Sequence, residues 1–281
     1  MSWWGKLVGG AFGYVIGGPI GAILGAVVGH QLDAGLKKAA QYDAHYGAQG
    51  GAGPGVGTGP GARQERVQTA FFTTVFSVMG HISKADGRVS ESEIRMARNI
   101  MQQMQLDDAQ KQFAIDLFRK GKEPDFPLDD VINQFRMECG RNRNLKQMFI
   151  EILLFAAYAD GAMHQAERHI LLRICTRLGF SNAEFSEIER MVQAQQAFHG
   201  SEYQSSRHSG KDLLSEAYQA LGIDKTASDA EVKKAYRRQM SKHHPDKLVS
   251  KGLPEEMIKL ANEKTAEIKN AYETIKKARG L

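Results

Sequence analysis

The chain has 281 residues, a formal net charge of +5, 42% hydrophobic content and 29 glycines. Eighteen of the glycines fall in residues 1–61 and leave 11 for the other 220, so the chain is not one uniform globule, and its hydrophobic content excludes a wholly disordered one. Only two cysteines occur, Cys139 and Cys175, with no C-x-x-C, which excludes a disulfide scaffold and a cysteine-rich zinc module and fits a reducing compartment.

Leu7 to Gly29 is a run of 23 residues without a charge. As a helix rising about 1.5 Å per residue it would span roughly 35 Å, enough for a bilayer core of about 30 Å. A transmembrane helix over 7–29 is therefore predicted, although eight glycines and Pro19 interrupt it, because membranes tolerate both residues where water cannot compete for the backbone. Its rival is a cleaved signal peptide, for which Lys6 supplies a minimal basic region but the apolar run is too long. A hairpin turning at Gly18 and Pro19 would leave each arm too short to cross. Gly9, Gly13, Gly17, Gly21, Gly25 and Gly29 stand four apart, the spacing that lets two membrane helices approach closely, which predicts a homodimer through this helix. The plainer alternative is that small residues are simply common in membrane helices. Lys6 on one side and Lys37 and Lys38 on the other mark orientation only weakly. Residues 30–61 continue as a juxtamembrane segment and a tether, with eight glycines, Pro54 and Pro60 between Gly47 and Gly61.

Residues 62–193 carry apolar side chains at helical spacing, as in Phe71, Phe72, Val75, Phe76, Val78 and Met79, with no strand-like alternation. An offset of 74 residues brings Ala85-Asp86-Gly87-Arg88-Val89 onto Ala159-Asp160-Gly161-Ala162-Met163 and Glu93 onto Glu167; it also pairs Ile100 with Ile174, Met104 with Leu178 and Leu106 with Phe180. Two related helix-turn-helix halves in one bundle are expected. The shared D-G-x-apolar-x-x-x-E has a structural reading, a tight Asp-Gly connection followed by a capped helix in which Ser90 stands three before Glu93. It also has a weaker chemical one, in which Asp86 with Glu93, or Asp160 with His164 and Glu167, ligate a cation without the alternating ligands of an EF-hand. This duplicated motif in a helical setting resembles the tellurite-resistance TerB-like domain, and that resemblance implies membrane-associated stress responses and, in some members, metal binding.

A polar stretch, residues 194–210, reads as a second linker, and residues 211–281 as a compact helical unit. Leu213, Leu214, Ala217, Tyr218 and Leu221 form a first helix closed by Gly222; Ser228 with Glu231 caps a second that runs to about His243; a third starts near Pro254. Between the last two lies His243-His244-Pro245-Asp246-Lys247. The unit holds 15 Lys plus Arg against 11 Asp plus Glu, so most of the chain's excess charge sits here, and Lys233, Lys234, Arg237, Arg238 and Lys242 share one broad face of the second helix. Pro245 is expected to end that helix and hold the loop outside it.

L-x-x-A-Y-x-x-L-G, A-Y-R-R-x-M-x-K-H-H-P-D-K and I-K-N-A-Y-E-T-I, in that order, closely resemble the three helices and loop of a J-domain. The resemblance implies binding to a DnaK-type chaperone and stimulation of its ATPase, with His244, Pro245 and Asp246 as the essential loop and the basic face steering the encounter. Such a chain is not an enzyme and needs no cofactor. No Gly/Phe-rich segment follows and no zinc module exists, unlike general J-domain chaperones. Taken whole, the chain resembles the membrane-anchored J-domain co-chaperones of bacteria. That predicts an all-α fold with a single transmembrane helix, a TerB-like bundle and a terminal J-domain, residues 1–6 periplasmic at the inner membrane and the bulk cytoplasmic, with an envelope-stress role. The alternative is a tethered, metal-responsive stress protein with an accessory J-domain. Nucleic-acid binding is not expected, since acidic residues dilute the basic patch and no aromatic platform accompanies it.

Overall fold

A computed structural model of the chain describes residues 16–39, 60–85, 91–158, 162–203 and 210–280, and these are helical, with no strand among them. The first helix, α1 (Gly18–Ala39), begins at a break rather than running on from residue 7. Gly17 and Gly18 both have positive φ, +55° and +62°, a conformation that a continuous right-handed helix cannot hold. Gln134 seals the break: its Oε1 accepts the Ile20 N–H at 2.8 Å and its Nε2 donates to the Gly17 carbonyl at 2.9 Å. Ile16, Ile20, Ile23, Leu24 and Val27 are buried in the apolar core of the bundle described next. No described helix is long and apolar enough to cross a membrane.

The bundle is built around α2 (Pro60–Ile82), whose Val67, Ala70, Phe71, Phe72, Val75, Phe76, Val78 and Met79 are all buried. Residues 67–80 are buried on every side, Thr69, Thr73 and Ser77 included, so the helix is surrounded. The other helices of the bundle are α3 (Glu91–Gln103), α4 (Asp108–Gly121), α5 (Leu128–Cys139), α6 (Arg143–Ala157), α7 (Gln165–Arg177) and α8 (Asn182–Tyr203); α4 to α7 pack on α2, and α3 and α8 pack on α6. Phe71, Phe135 and Phe149 meet edge-on and tilted, with centroids 4.5–6.1 Å apart, and join α2, α5 and α6. Between α2 and α4 the backbones touch. A Cβ on Gly80 would lie 2.0 Å from the Phe118 carbonyl oxygen, and one on Gly121 1.7 Å from that of Ser77.

The repeat is visible in the helix boundaries: α3 shifted by 74 residues is α7, and α4 so shifted begins where α8 begins. The paired residues Ile100 and Ile174, Met104 and Leu178, Leu106 and Phe180 are all buried.

The terminal unit comprises α9 (Gly210–Ala220), α10 (Asp229–His243), α11 (Pro245–Val249), a 3-10 turn (Glu255–Met257) and α12 (Ile258–Arg279). Ala217, Leu221, Val232, Ile268, Ala271 and Ile275 form its core, with Tyr236 stacked on Tyr272 at 4.2 Å. Gly222 closes α9 at φ +69°.

The expected linker at 194–210 is in large part helix. The eighth helix runs on to Tyr203, with Ala194 and Gln195 buried, and only 204–209 lie outside the described residues. The two units are also joined by apolar packing, since Leu248, Leu253, Met257 and Ala261 belong to the same cluster as the bundle core. Gly252, at φ +104°, lets the loop fold onto Val67, whose Cγ1 would stand 2.4 Å from an added Cβ.

Candidate functional site

The site starts at Ser228, whose side chain caps the Glu231 N–H while the Glu231 carboxylate accepts the Ser228 N–H at 2.7 Å. This fixes where α10 begins, and hence which residues face out. Val232, Ala235, Gln239 and His243 form the buried stripe; Lys233, Lys234, Arg237 and Arg238 are exposed and Lys242 is half-buried. The basic face of the sequence is therefore a real, open surface.

At its end α10 turns abruptly. His244 adopts φ −58°, ψ 122°, the extended geometry that a following proline imposes, and Pro245 then opens α11. Pro245 ends the helix as expected, and the segment read as a loop is a one-residue corner followed at once by a short helix. The His244 side chain is 46% exposed and that of Asp246 91%, with His244 Nδ1 4.0 Å from an Asp246 oxygen. Lys247 Nζ donates to Ser241 Oγ across the corner at 2.7 Å. The corner presents an imidazole, a ring and a carboxylate to solvent beside four exposed cations, which suits a partner offering both donors and negative charge.

Behind the corner lies a buried cluster that the motifs do not reveal. His243, 2% exposed, points inward, with Nε2 3.0 Å from both carboxylate oxygens of Glu151 on α6 and Nδ1 3.0 Å from the Gln239 carbonyl. Lys264 of α12 stands 3.3 Å from the same carboxylate, and Gln147 donates to it at 2.8 Å. Burial by itself would raise the Glu151 pKa, but His243 and Lys264, with the hydrogen bonds of His243 and Gln147, outweigh it and hold the carboxyl far below the usual carboxylate range. A lone charge inside the run Phe149-Ile150-Glu151-Ile152-Leu153 was the available signal.

Most of the weak cation candidates fall outside what the structure describes. Asp86 and Asp160 lie outside the described residues, as does the side chain of Glu93. Glu167 is buried and accepts the His164 N–H at 2.9 Å, the capping use of this motif position. Among the described residues no group of three or more His, Cys, Asp or Glu side chains is placed to hold a metal ion. Of the glycine ladder, Gly9 and Gly13 lie outside the described residues, Gly17 sits in the break, and Gly21, Gly25 and Gly29 fall in α1.

Comparison with known proteins finds three family matches in chain order. Residues 1–39 match the co-chaperone DjlA transmembrane domain, 72–190 the tellurite resistance protein TerB and 216–279 the DnaJ domain. The curated "Co-chaperone protein DjlA" of Coxiella burnetii is 45% identical over 221 residues, covering 78% of this chain and 82% of that one. The chain belongs to the DjlA co-chaperone family. Proteins of the same name from Haemophilus influenzae (41% over 233 residues, 76% and 81% of the two chains) and Vibrio parahaemolyticus (43% over 233 residues, 78% and 81%) agree. No match is found among solved structures. As a DjlA family member the chain is a membrane-anchored J-domain co-chaperone: α9 to α12 form the J-domain, and α2 to α8 carry the TerB match.

Proposed function

We propose that the chain binds a DnaK-type chaperone through the His244-Pro245-Asp246 corner and the basic face of α10, and stimulates its ATPase. The observation that carries this reading is the exposure of the corner beside that face while the opposite stripe of α10, Val232, Ala235, Gln239 and His243, is buried. Lys233, Lys234, Arg237, Arg238 and Lys242 steer an acidic surface into register, and the His244 ring and Asp246 carboxylate make the short-range contacts. Because ATP-driven DnaK chaperones work in the cytoplasm, the reading places the bulk of the chain there, on the inner membrane, with the amino terminus periplasmic and a role in envelope stress. Pairing through the glycine ladder would present two J-domains together. Of the ladder positions in α1, Gly25 is exposed with nothing within 4 Å of where a Cβ would stand, whereas Gly21 is buried.

The test is ATPase stimulation by the whole chain with His244→Gln, which keeps a polar side chain of similar reach. Stimulation should be nearly abolished with helicity unchanged; full stimulation by the variant contradicts the assignment. Reversing charge at Arg237 and Arg238 should weaken the encounter and flatten its salt dependence, read as association rate against ionic strength.

A further inference from the structure

The Glu151–His243–Lys264 cluster joins the TerB-like bundle to the residue that immediately precedes the His-Pro-Asp corner. Its chemistry is constrained. Nδ1 of His243 faces a carbonyl and Nε2 faces a carboxylate; both are acceptors, so both contacts are hydrogen bonds only when the ring carries both protons. Protonated, His243 stands with Lys264 against the Glu151 carboxylate. Gln147 and Gln195 complete the cluster, the first donating to Glu151 and the second accepting from Lys264 Nζ. Three helices thus converge on the Glu151 carboxylate: α6 of the bundle, and α10 and α12 of the J-domain. His243 closes α10, so its orientation sets the direction in which the backbone leaves at His244.

We infer that Glu151 is a positioning residue for chaperone stimulation: by clamping His243 from the bundle it fixes the exit of α10 and the projection of His244 and Asp246. The TerB-like unit then takes part in presenting the J-domain, and the two units act on the partner as one body. The inference rests on the reading of the His-Pro-Asp corner as the chaperone contact. The exposed corner and basic face distinguish this role from occlusion, since the cluster lies on the opposite, buried side of α10.

The experiment titrates whole chain against a DnaK-type chaperone, reading maximal ATPase stimulation and the concentration giving half of it, alongside backbone hydrogen exchange. Glu151→Gln should lower maximal stimulation at least about fivefold, the low end of measured site-to-site couplings. Exchange should accelerate at residues 243–250 and remain unchanged in α2 and α4. Adding His243→Gln, which replaces one of the two groups left facing position 151 with an amide able to pair with the new amide there, should restore part of the loss. If Glu151→Gln does not fold, Glu151→Asp puts the same question by withdrawing the carboxylate while keeping its charge. Unchanged stimulation and exchange would overturn the inference, as would a loss matched by equal acceleration throughout α2 and α4, which marks general destabilisation. Asp246→Asn runs beside them: if it stimulates fully, the corner itself has been misread, a failure distinct from that of Glu151.

Discussion

Glu151 shows how one side chain carries a consequence that composition hides. A carboxylate this buried is tolerated only with partners, and removing one member of such a group leaves uncompensated charge, at a typical cost of about 3–5 kcal/mol. Since its pKa is depressed in the folded chain, its contribution is fully present above the ordinary carboxylate range and is lost as pH falls below that range toward the folded value. Chemical denaturation at pH 5 and pH 3 should therefore show a smaller acid-induced drop in midpoint for the double variant Glu151→Gln, His243→Gln than for the unsubstituted chain; equal drops would contradict the account. At this scale much of the site was legible. The Ser228–Glu231 cap, the outward basic face and the extended His244 follow from side-chain and proline chemistry read locally. Glu151 and Lys264 were not, because their meaning depends on a contact across 92 residues in one case and on helix packing in the other.

Among the helices, the 74-residue offset predicted more than the motif it came from. It located α3 and α7 as equivalents and paired three buried residues across the halves, because a repeat preserves which face a helix buries. What local reading could not supply was close approach. Gly80 and Gly121 resemble any glycine within a helix, yet each faces a carbonyl of the opposing backbone within van der Waals distance. Gly121→Ala should cost at least the 1–3 kcal/mol or so typical of overpacking, since the neighbour is backbone and cannot rotate away, measured as a fall in thermal midpoint; an unchanged midpoint would refute the contact. Length argues against a turn at Gly18 and Pro19 when the segment is read as a membrane span. The helix nonetheless breaks at Gly17 and Gly18, because two consecutive residues adopt left-handed φ and the buried Gln134 amide satisfies the freed backbone.

Considered whole, the molecule departs from a string of beads on a tether. The polar stretch after Gln193 suggested independence of its two folded units, because polarity marks solvent exposure; it does not mark the end of a helix, and α8 continues through it. The J-domain loop then returns Leu248, Leu253, Met257 and Ala261 to the bundle core, so the corner proposed to face the chaperone is backed by the TerB-like unit. The amino-terminal apolar face of α1 is likewise spent on the bundle in this structure, while the family match assigns residues 1–39 to the membrane. Fold class, domain order and the J-domain were readable from motifs; the way the units lean on one another was not, since it arises from side chains distant in sequence.

The most direct test of the central claim is single-turnover ATP hydrolysis by a DnaK-type chaperone in the presence of the whole chain or its Asp246→Asn variant. The unsubstituted chain should accelerate hydrolysis and the variant should not, with unchanged helicity and thermal midpoint because Asp246 is exposed and outside both cores. Equal acceleration by both would contradict a co-chaperone action through the His-Pro-Asp corner.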